Sequence, residues 1–331
     1  MRRTFNSLIQ ISAIALIFFI VPPVNSIASN YVTVATIGGE PSISRDQAPQ
    51  KIVDQVIAFW GREFKQVLPD KPDLIVLPEV CDLASTGLEY RKVRKNQIHD
   101  YFASVAKANH CYIAYGTLRD EKDGTIRNSC IMIGRNGEIA GIYDKNFPTI
   151  YEMEANIMPG KTAPVFELDF GRIGMAICFD LNYDELRTQY AAQKPDLIIF
   201  SSVYHGGLAQ NVWAYSCRSH FVGSVRANPS QIRNPLGEVV ASSSNYQDYV
   251  VTRINLDCEL VHLDYNRGRL NALKEKYGQR VTISDPGYLG CVLVTSEDKN
   301  VTVDKMIKEF EIELLDDYFN RSRGFRKKNL N

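Results

Sequence analysis

Beyond residue 30 the chain alternates short, densely apolar runs with longer stretches whose apolar positions recur every three or four residues. The first kind predicts buried strands and the second amphipathic helices. Tyr31–Ile37 reads as a strand, and Gln50–Val67 as a helix with Ile52, Val53, Val56, Ile57 and Trp60 at helical spacing. Asp73–Leu77 reads as a strand, its Leu74–Leu77 continuously apolar as in a strand covered on both faces. Gln97–Ala108 is a second helix. Cys111–Leu118 and Thr125–Ile133 flank Glu121-Lys122-Asp123-Gly124, whose Asp-Gly favours a hairpin, and Arg135-Asn136-Gly137 turns the chain into Glu138–Tyr143. Asn182, with Glu185 three residues on, has the spacing of an N-cap and capping box for a helix running to about Gln193. Val250–Leu256 is a late strand, and Val303–Phe319 a terminal amphipathic helix carrying Met306, Ile307, Phe310, Leu314 and Leu315 on one side. No low-complexity linker interrupts the alternation, which predicts one α/β domain.

One segment occurs twice. Lys71-Pro-Asp-Leu-Ile-Val-Leu-Pro78 returns as Lys194-Pro-Asp-Leu-Ile-Ile-Phe-Ser201, each copy following a helix and running into a strand. The echo hints at two similar halves within the domain. The N-terminus differs from the rest. Arg2 and Arg3 precede the apolar run Ile9 to Val21, which ends at Pro22-Pro23, and small residues follow around Ser26 and Ser29. That order describes a secretory signal over residues 1–29, and the run is short against the roughly 20 residues of a membrane span. The expectation is a periplasmic or extracellular protein, touching the membrane only through this segment if it stays uncleaved.

The formal net charge of 331 residues is zero, which argues against nucleic acid as a partner. The one basic cluster, Arg321, Arg323, Arg326, Lys327 and Lys328, reads as a solvated tail. Seven cysteines without a CxxC pair, and five histidines without HExxH spacing, predict no metal site and leave disulfides open.

Three residues close apolar runs in a way that suggests chemistry. Glu79 ends Pro72–Pro78, Lys145 ends Gly141–Asp144, and Cys178 ends Gly174–Ile177. A thiol, a carboxylate and an amine are the parts needed to cleave a carbon–nitrogen bond through a thioester. Glu79 would take the thiol proton and return it to the leaving amine, while Lys145 and the backbone N–H of Phe179 would stabilise the developing anion. A helix start after Cys178 would favour thiolate through its dipole. No organic cofactor is required by such a set.

Pro72–Glu79, Gly137–Lys145 and Arg172–Arg187, in that order, resemble the glutamate, lysine and cysteine motifs of the nitrilase superfamily, the carbon–nitrogen hydrolases. Trp213, Asn234-Pro235-Leu236-Gly237 and the late strand resemble further landmarks, so the likeness spans about residues 31–257. It implies a four-layer α-β-β-α sandwich over residues 30–260; beyond it, the terminal amphipathic helix predicts a helical extension, 261–331, that packs on the domain or a partner subunit. It also implies a Glu79–Lys145–Cys178 triad, a homodimer or larger assembly, and a second glutamate before Pro159-Gly160. Glu154 best matches that second glutamate, with Glu152 the alternative. Phe179-Asp180-Leu181 is closer to amidase-like members than to nitrilases proper, which points to a small-molecule amide or N-carbamoyl substrate, with a nitrile as the alternative. Asn182 replaces an arginine common in those members, and Asn211 a frequent histidine. A non-catalytic binding protein on the same fold is the remaining reading.

Overall fold

The computed structural model describes residues 28–44, 46–83, 87–226 and 229–330, so the expected signal lies almost entirely outside the described residues. Alternate side chains of each central strand face opposite ways and meet different partners. In β1 (Tyr31–Ile37), Val32 and Val34 join the core shared with the second half, whereas Ala35 and Ile37 meet the helix α1 (Pro49–Val67). In β2 (Leu74–Val76) the same division sends Leu74 and Val76 one way and Ile75 the other, which is why the run carries no polar residue. After α2 (Leu88–Arg94) and α3 (Gln97–Asn109) come β3 (Tyr112–Asp120), β4 (Ile126–Ile133) and β5 (Ile139–Asp144). With a late strand added, this first sheet has six strands, and α1 and α3 cover its outer face with Trp60, Phe64 and Phe102.

A short helix, α4 (Ile150–Glu154), leads to the second half. Its elements are β6 (Phe166–Leu168), β7 (Gly171–Ile177), α5 (Asp184–Gln193), β8 (Leu197–Ser202) and α6 (Leu208–Cys217). Next come β9 (His220–Val225), β10 (Gln231–Arg233), β11 (Val239–Ser242) and β12 (Tyr249–Asn255). The first sheet runs β12-β1-β2-β3-β4-β5 and the second β6-β7-β8-β9-β10-β11. Both have three parallel strands flanked by one antiparallel strand on one side and two on the other.

The repeated sequence sits at equivalent places in the two sheets. Lys71 and Lys194 both turn through left-handed backbone, at φ 51° and 52°. Asp73 bonds Thr33 N through its carboxylate (3.0 Å) and accepts Tyr112 N at its carbonyl (2.8 Å). Asp196 does the same with Arg172 N (2.7 Å) and His220 N (3.0 Å). The echo is therefore structural: each aspartate staples the start of a central strand to its two neighbours. Between the sheets, Ser201 Oγ donates to Leu77 O (2.7 Å) and Ser224 Oγ to Ile37 O (2.6 Å), both at the carboxyl ends of parallel strands.

The rest of the chain departs from a purely helical extension. β13 (Cys258–His262), β14 (Val281–Ser284) and β15 (Cys291–Ser296) form a third sheet in the order β13-β15-β14, packed with α7 (Arg267–Tyr277). The terminal helix is also two helices, α8 (Val303–Glu309) and α9 (Leu315–Leu330). Glu311, at φ 50°, breaks it. The break lets Ile312 join Met306 and Ile307 against Val261, while Leu315 seats in a separate cluster with Leu236, Leu260 and Leu293. Since Leu236 belongs to the sandwich, the extension packs on its own domain. The basic cluster is the exposed end of α9. All seven cysteines are free, and no described helix is long and apolar enough to cross a membrane.

Candidate active site

The site gathers at the carboxyl ends of the parallel strands, where an open α/β sheet leaves a crevice. Cys178 follows β7 directly, at φ 47°, a left-handed conformation rare for a residue with a side chain. Val80, next to Glu79, has φ 45°. Such backbone persists only when its surroundings hold it. Around Glu79 they do. Cys81 N donates to Gly116 O (3.0 Å), Trp60 Nε1 to Cys81 O (2.9 Å), and the buried Asp82 accepts Thr117 Oγ1 (2.6 Å) and the Arg94 guanidinium. Around Cys178 the holder is Asp180. Its Oδ2 accepts Ile177 N (2.9 Å) and the Tyr143 hydroxyl (2.7 Å), and its Oδ1 accepts Phe147 N (2.8 Å). One buried carboxylate thus fixes the cysteine turn to the chain on either side of Lys145. Burial pushes Asp180 up to about 6 against the pull of those donors.

Glu79, Lys145 and Cys178 do meet. Lys145 is 1% exposed and Glu79 3%, and Lys145 Nζ donates to Glu79 Oε1 at 2.9 Å. The other glutamate oxygen accepts Val203 N from the end of β8 (3.0 Å). Glu79 and Ser202 both reach the Cys178 side chain.

Of the two candidate glutamates it is Glu152, the alternative, that meets Lys145, and not Glu154, the first choice. Lys145 Nζ contacts both Glu152 oxygens, at 3.0 and 2.8 Å, while Glu154 is exposed. The reason lies in helix α4. Thr149 caps it, and Glu152 returns the bond by accepting Thr149 N (2.7 Å), a capping box that turns the Glu152 carboxylate inward. The signature Thr149-x-x-Glu152 was present in the sequence. Asn128 on β4 had no such signal. Its buried amide donates to Glu79 Oε1 (2.7 Å) and Glu152 Oε1 (2.8 Å), so two donors and two carboxylates close a ring. Its Oδ1 is left buried without a partner, so the amide is placed for its donors.

Two further expectations change. Asn182 does not cap a helix: the cysteine is followed by a 3₁₀ turn, Cys178–Asn182, and α5 starts at Asp184. Asn182 Nδ2 instead donates to Phe179 O (3.0 Å) and the Tyr204 hydroxyl (3.2 Å). Nor do the surroundings of the thiol favour thiolate. Burial, then the charge of Glu79, push it up to about 12, and the opposing pull of Lys145 and Ser202 is weaker. Burial works to lower Lys145, but Glu79, Cys178 and Glu152 hold it above its ordinary range. Glu152 is held below the usual carboxylate range, the Lys145 ammonium overcoming its burial.

Residues 33–257 match the carbon–nitrogen hydrolase family. The chain belongs to this family. Among its relatives is the omega-amidase NIT2 of Danio rerio, 23% identical over an alignment 211 residues long that covers 55% of this chain and 76% of that protein. The human omega-amidase NIT2 is 23% identical over an alignment 193 residues long that covers 51% and 70% of the two chains. Saccharomyces cerevisiae Nit3, of the nitrilase superfamily, superposes at TM-score 0.58 with 19% identity, over 70% of this chain and 92% of its own. The amidase of Nesterenkonia sp. AN1, in a complex with butyramide, superposes at 0.57 with 15% identity, over 75% and 98%. The carbon–nitrogen hydrolase family and its α/β sandwich, expected from the three motifs, are therefore established, and amidases are among its relatives.

Proposed function

We propose that the site cleaves a carboxamide or N-carbamoyl compound through a thioester on Cys178. The observation that carries this is a half-buried thiol within reach of a buried carboxylate that itself holds an ammonium. A thiol pushed up to about 12 needs a base at the moment of attack, and Glu79 is that base. As the Cys178 sulfur bonds the substrate carbon, its proton passes to Glu79. The charge on the substrate oxygen meets the Lys145 ammonium and the Phe179 N–H, where one donor contributes about 3–4 kcal/mol. Collapse breaks the carbon–nitrogen bond, and Glu79 gives the proton to the departing ammonia or amine. Water then attacks the thioester with Glu79 as base, releasing the acid and the thiol. Glu152 and Asn128 hold Glu79 and Lys145 at their shared geometry. Export to the periplasm or beyond, and assembly into a homodimer or larger oligomer, complete the proposal. N-terminal sequencing of the mature protein and light scattering test those two parts.

The catalytic test is ammonia release from a panel of amides, carbamoyl compounds and nitriles, with intact mass recorded after exposure to fluoroacetamide. Wild type should release ammonia from the amides and, with fluoroacetamide, gain one acetamide moiety on the Cys178 sulfur as fluoride leaves. Cys178→Ala should lose at least about 10⁴-fold in turnover while melting as wild type does. A wild-type protein with neither adduct nor ammonia would refute the reading, and faster release from nitriles than amides would move it to a nitrilase proper.

A further inference from the structure

Resting on that catalytic reading, we infer that the site selects amides with an uncharged, apolar acyl group and rejects those whose acyl group carries a carboxylate. The side chains flanking the cysteine turn are aromatic. Phe147 stacks on Tyr183 with centroids 3.9 Å apart and planes 5° off parallel, and Phe179 meets the same ring edge-on at 5.6 Å. Tyr204 joins these rings through its hydroxyl, which accepts Asn182 Nδ2 at 3.2 Å. The exposed polar group among these rings, Asn182, is neutral and already bonded to Phe179 O and the Tyr204 hydroxyl.

The charges already present point the same way. The Glu79 and Glu152 carboxylates share one ammonium, Lys145, whose bonds to both are 3.0 Å or shorter. Arg226 reaches the glutamate loop at Val80 O (2.8 Å), but Glu40 pairs with it at 2.9 Å. An incoming carboxylate therefore meets a net negative charge on Glu79, Lys145 and Glu152, and Arg226 is already paired. At roughly 7 Å and an effective dielectric of about 20, that repulsion amounts to a factor on the order of 50.

The test compares two amides of the same shape, 4-methylpentanamide and succinamate, by kcat/KM at one ionic strength. The neutral compound should be favoured at least about 30-fold, and Asn182→Arg should shift the ratio toward succinamate at least about tenfold. Equal or faster hydrolysis of succinamate by wild type overturns the inference and leaves the hydrolase reading standing. An unchanged ratio in Asn182→Arg overturns the assignment of Asn182 to the acyl pocket. Ammonia from neither compound, with no adduct on Cys178, overturns both readings together.

Discussion

At the scale of single residues, the site depends on which proton sits where. Cys178 is a thiol because burial and the Glu79 carboxylate disfavour its anion, with Lys145 only partly compensating. Replacing Glu79 by Gln removes the base and the repulsion together, so the two effects separate experimentally. In Glu79→Gln the thiol should ionise at lower pH than in wild type, although turnover falls by at least about 10³-fold. The pH dependence of iodoacetamide alkylation measures the first and ammonia release the second. An alkylation profile unmoved or shifted to higher pH would show that Glu79 does not govern the thiol. The two candidate second glutamates separate as cleanly. Glu152→Gln loses the carboxylate that Lys145 contacts at 2.8 Å and should cost about 10²-fold or more in kcat. Glu154→Gln, at an exposed position, should stay within about twofold of wild type. Sequence alone favoured Glu154 because distance to Pro159-Gly160 was the ruler, whereas the capping box at Thr149 decides which carboxylate faces inward. Asn128 was illegible for a different reason: an asparagine inside an apolar strand looks the same whether its partners are water or two buried carboxylates.

At the scale of elements, strand ends were legible and the turns beyond them were not. Continuous apolar runs mark β2 and β7 because both of their faces are covered, so the positions of Glu79 and Cys178 just past them could be read. The turn after Cys178 could not. Asn182 and Glu185 have capping-box spacing, but Asp180 binds Ile177 N, Tyr143 and Phe147 N, and those bonds hold a 3₁₀ turn that delays α5 to Asp184. A tertiary contact overrode a local signal. The same applies to the glutamate loop, which is shaped from below by β3. A Cβ at Gly116 would lie 2.5 Å from Glu79 Cα, 2.7 Å from Val80 N and 2.8 Å from Pro78 O, all backbone atoms that cannot swing aside. Gly116→Ala must therefore move the Glu79 backbone. Misplacing a catalytic group by about 1 Å can cost 10²-fold, so kcat should drop by tenfold to a hundredfold with a smaller change in KM. Wild-type kcat in this variant would mean that the loop accommodates the methyl elsewhere.

At the scale of the whole molecule, two halves with one strand pattern carry unequal chemistry. The stapling aspartates Asp73 and Asp196 occupy matching positions, and counting six residues forward from each brings Glu79, just past β2, onto Ser202 at the end of β8. From the partners Thr33 and Arg172, the same count brings Gly39, at φ 77°, onto Cys178, at φ 47°. Both halves thus make the same left-handed corner, and only one fills it with a thiol. The echo was visible in sequence because both copies keep Lys-Pro-Asp at the helix-to-strand turn; the rest of each half has diverged beyond recognition. The extension was less legible, since its strands are short and its last helix is broken by Glu311 without glycine or proline. Its attachment makes a definite demand on stability. Leu315 is 1% exposed among Leu236, Leu260, Cys291 and Leu293, so one side chain spans the sandwich and the added sheet. Truncating a buried leucine costs about 2–5 kcal/mol. If extension and sandwich unfold as one body, Leu315→Ala should lower a single melting transition by several degrees, with the same shift seen by calorimetry and by loss of activity. If the extension unfolds independently, calorimetry should show a second, earlier transition while activity persists to the wild-type temperature. The inward seating of Leu236, together with the Arg218–Asp316 pair at 2.9 Å between α6 and α9, argues for the single transition.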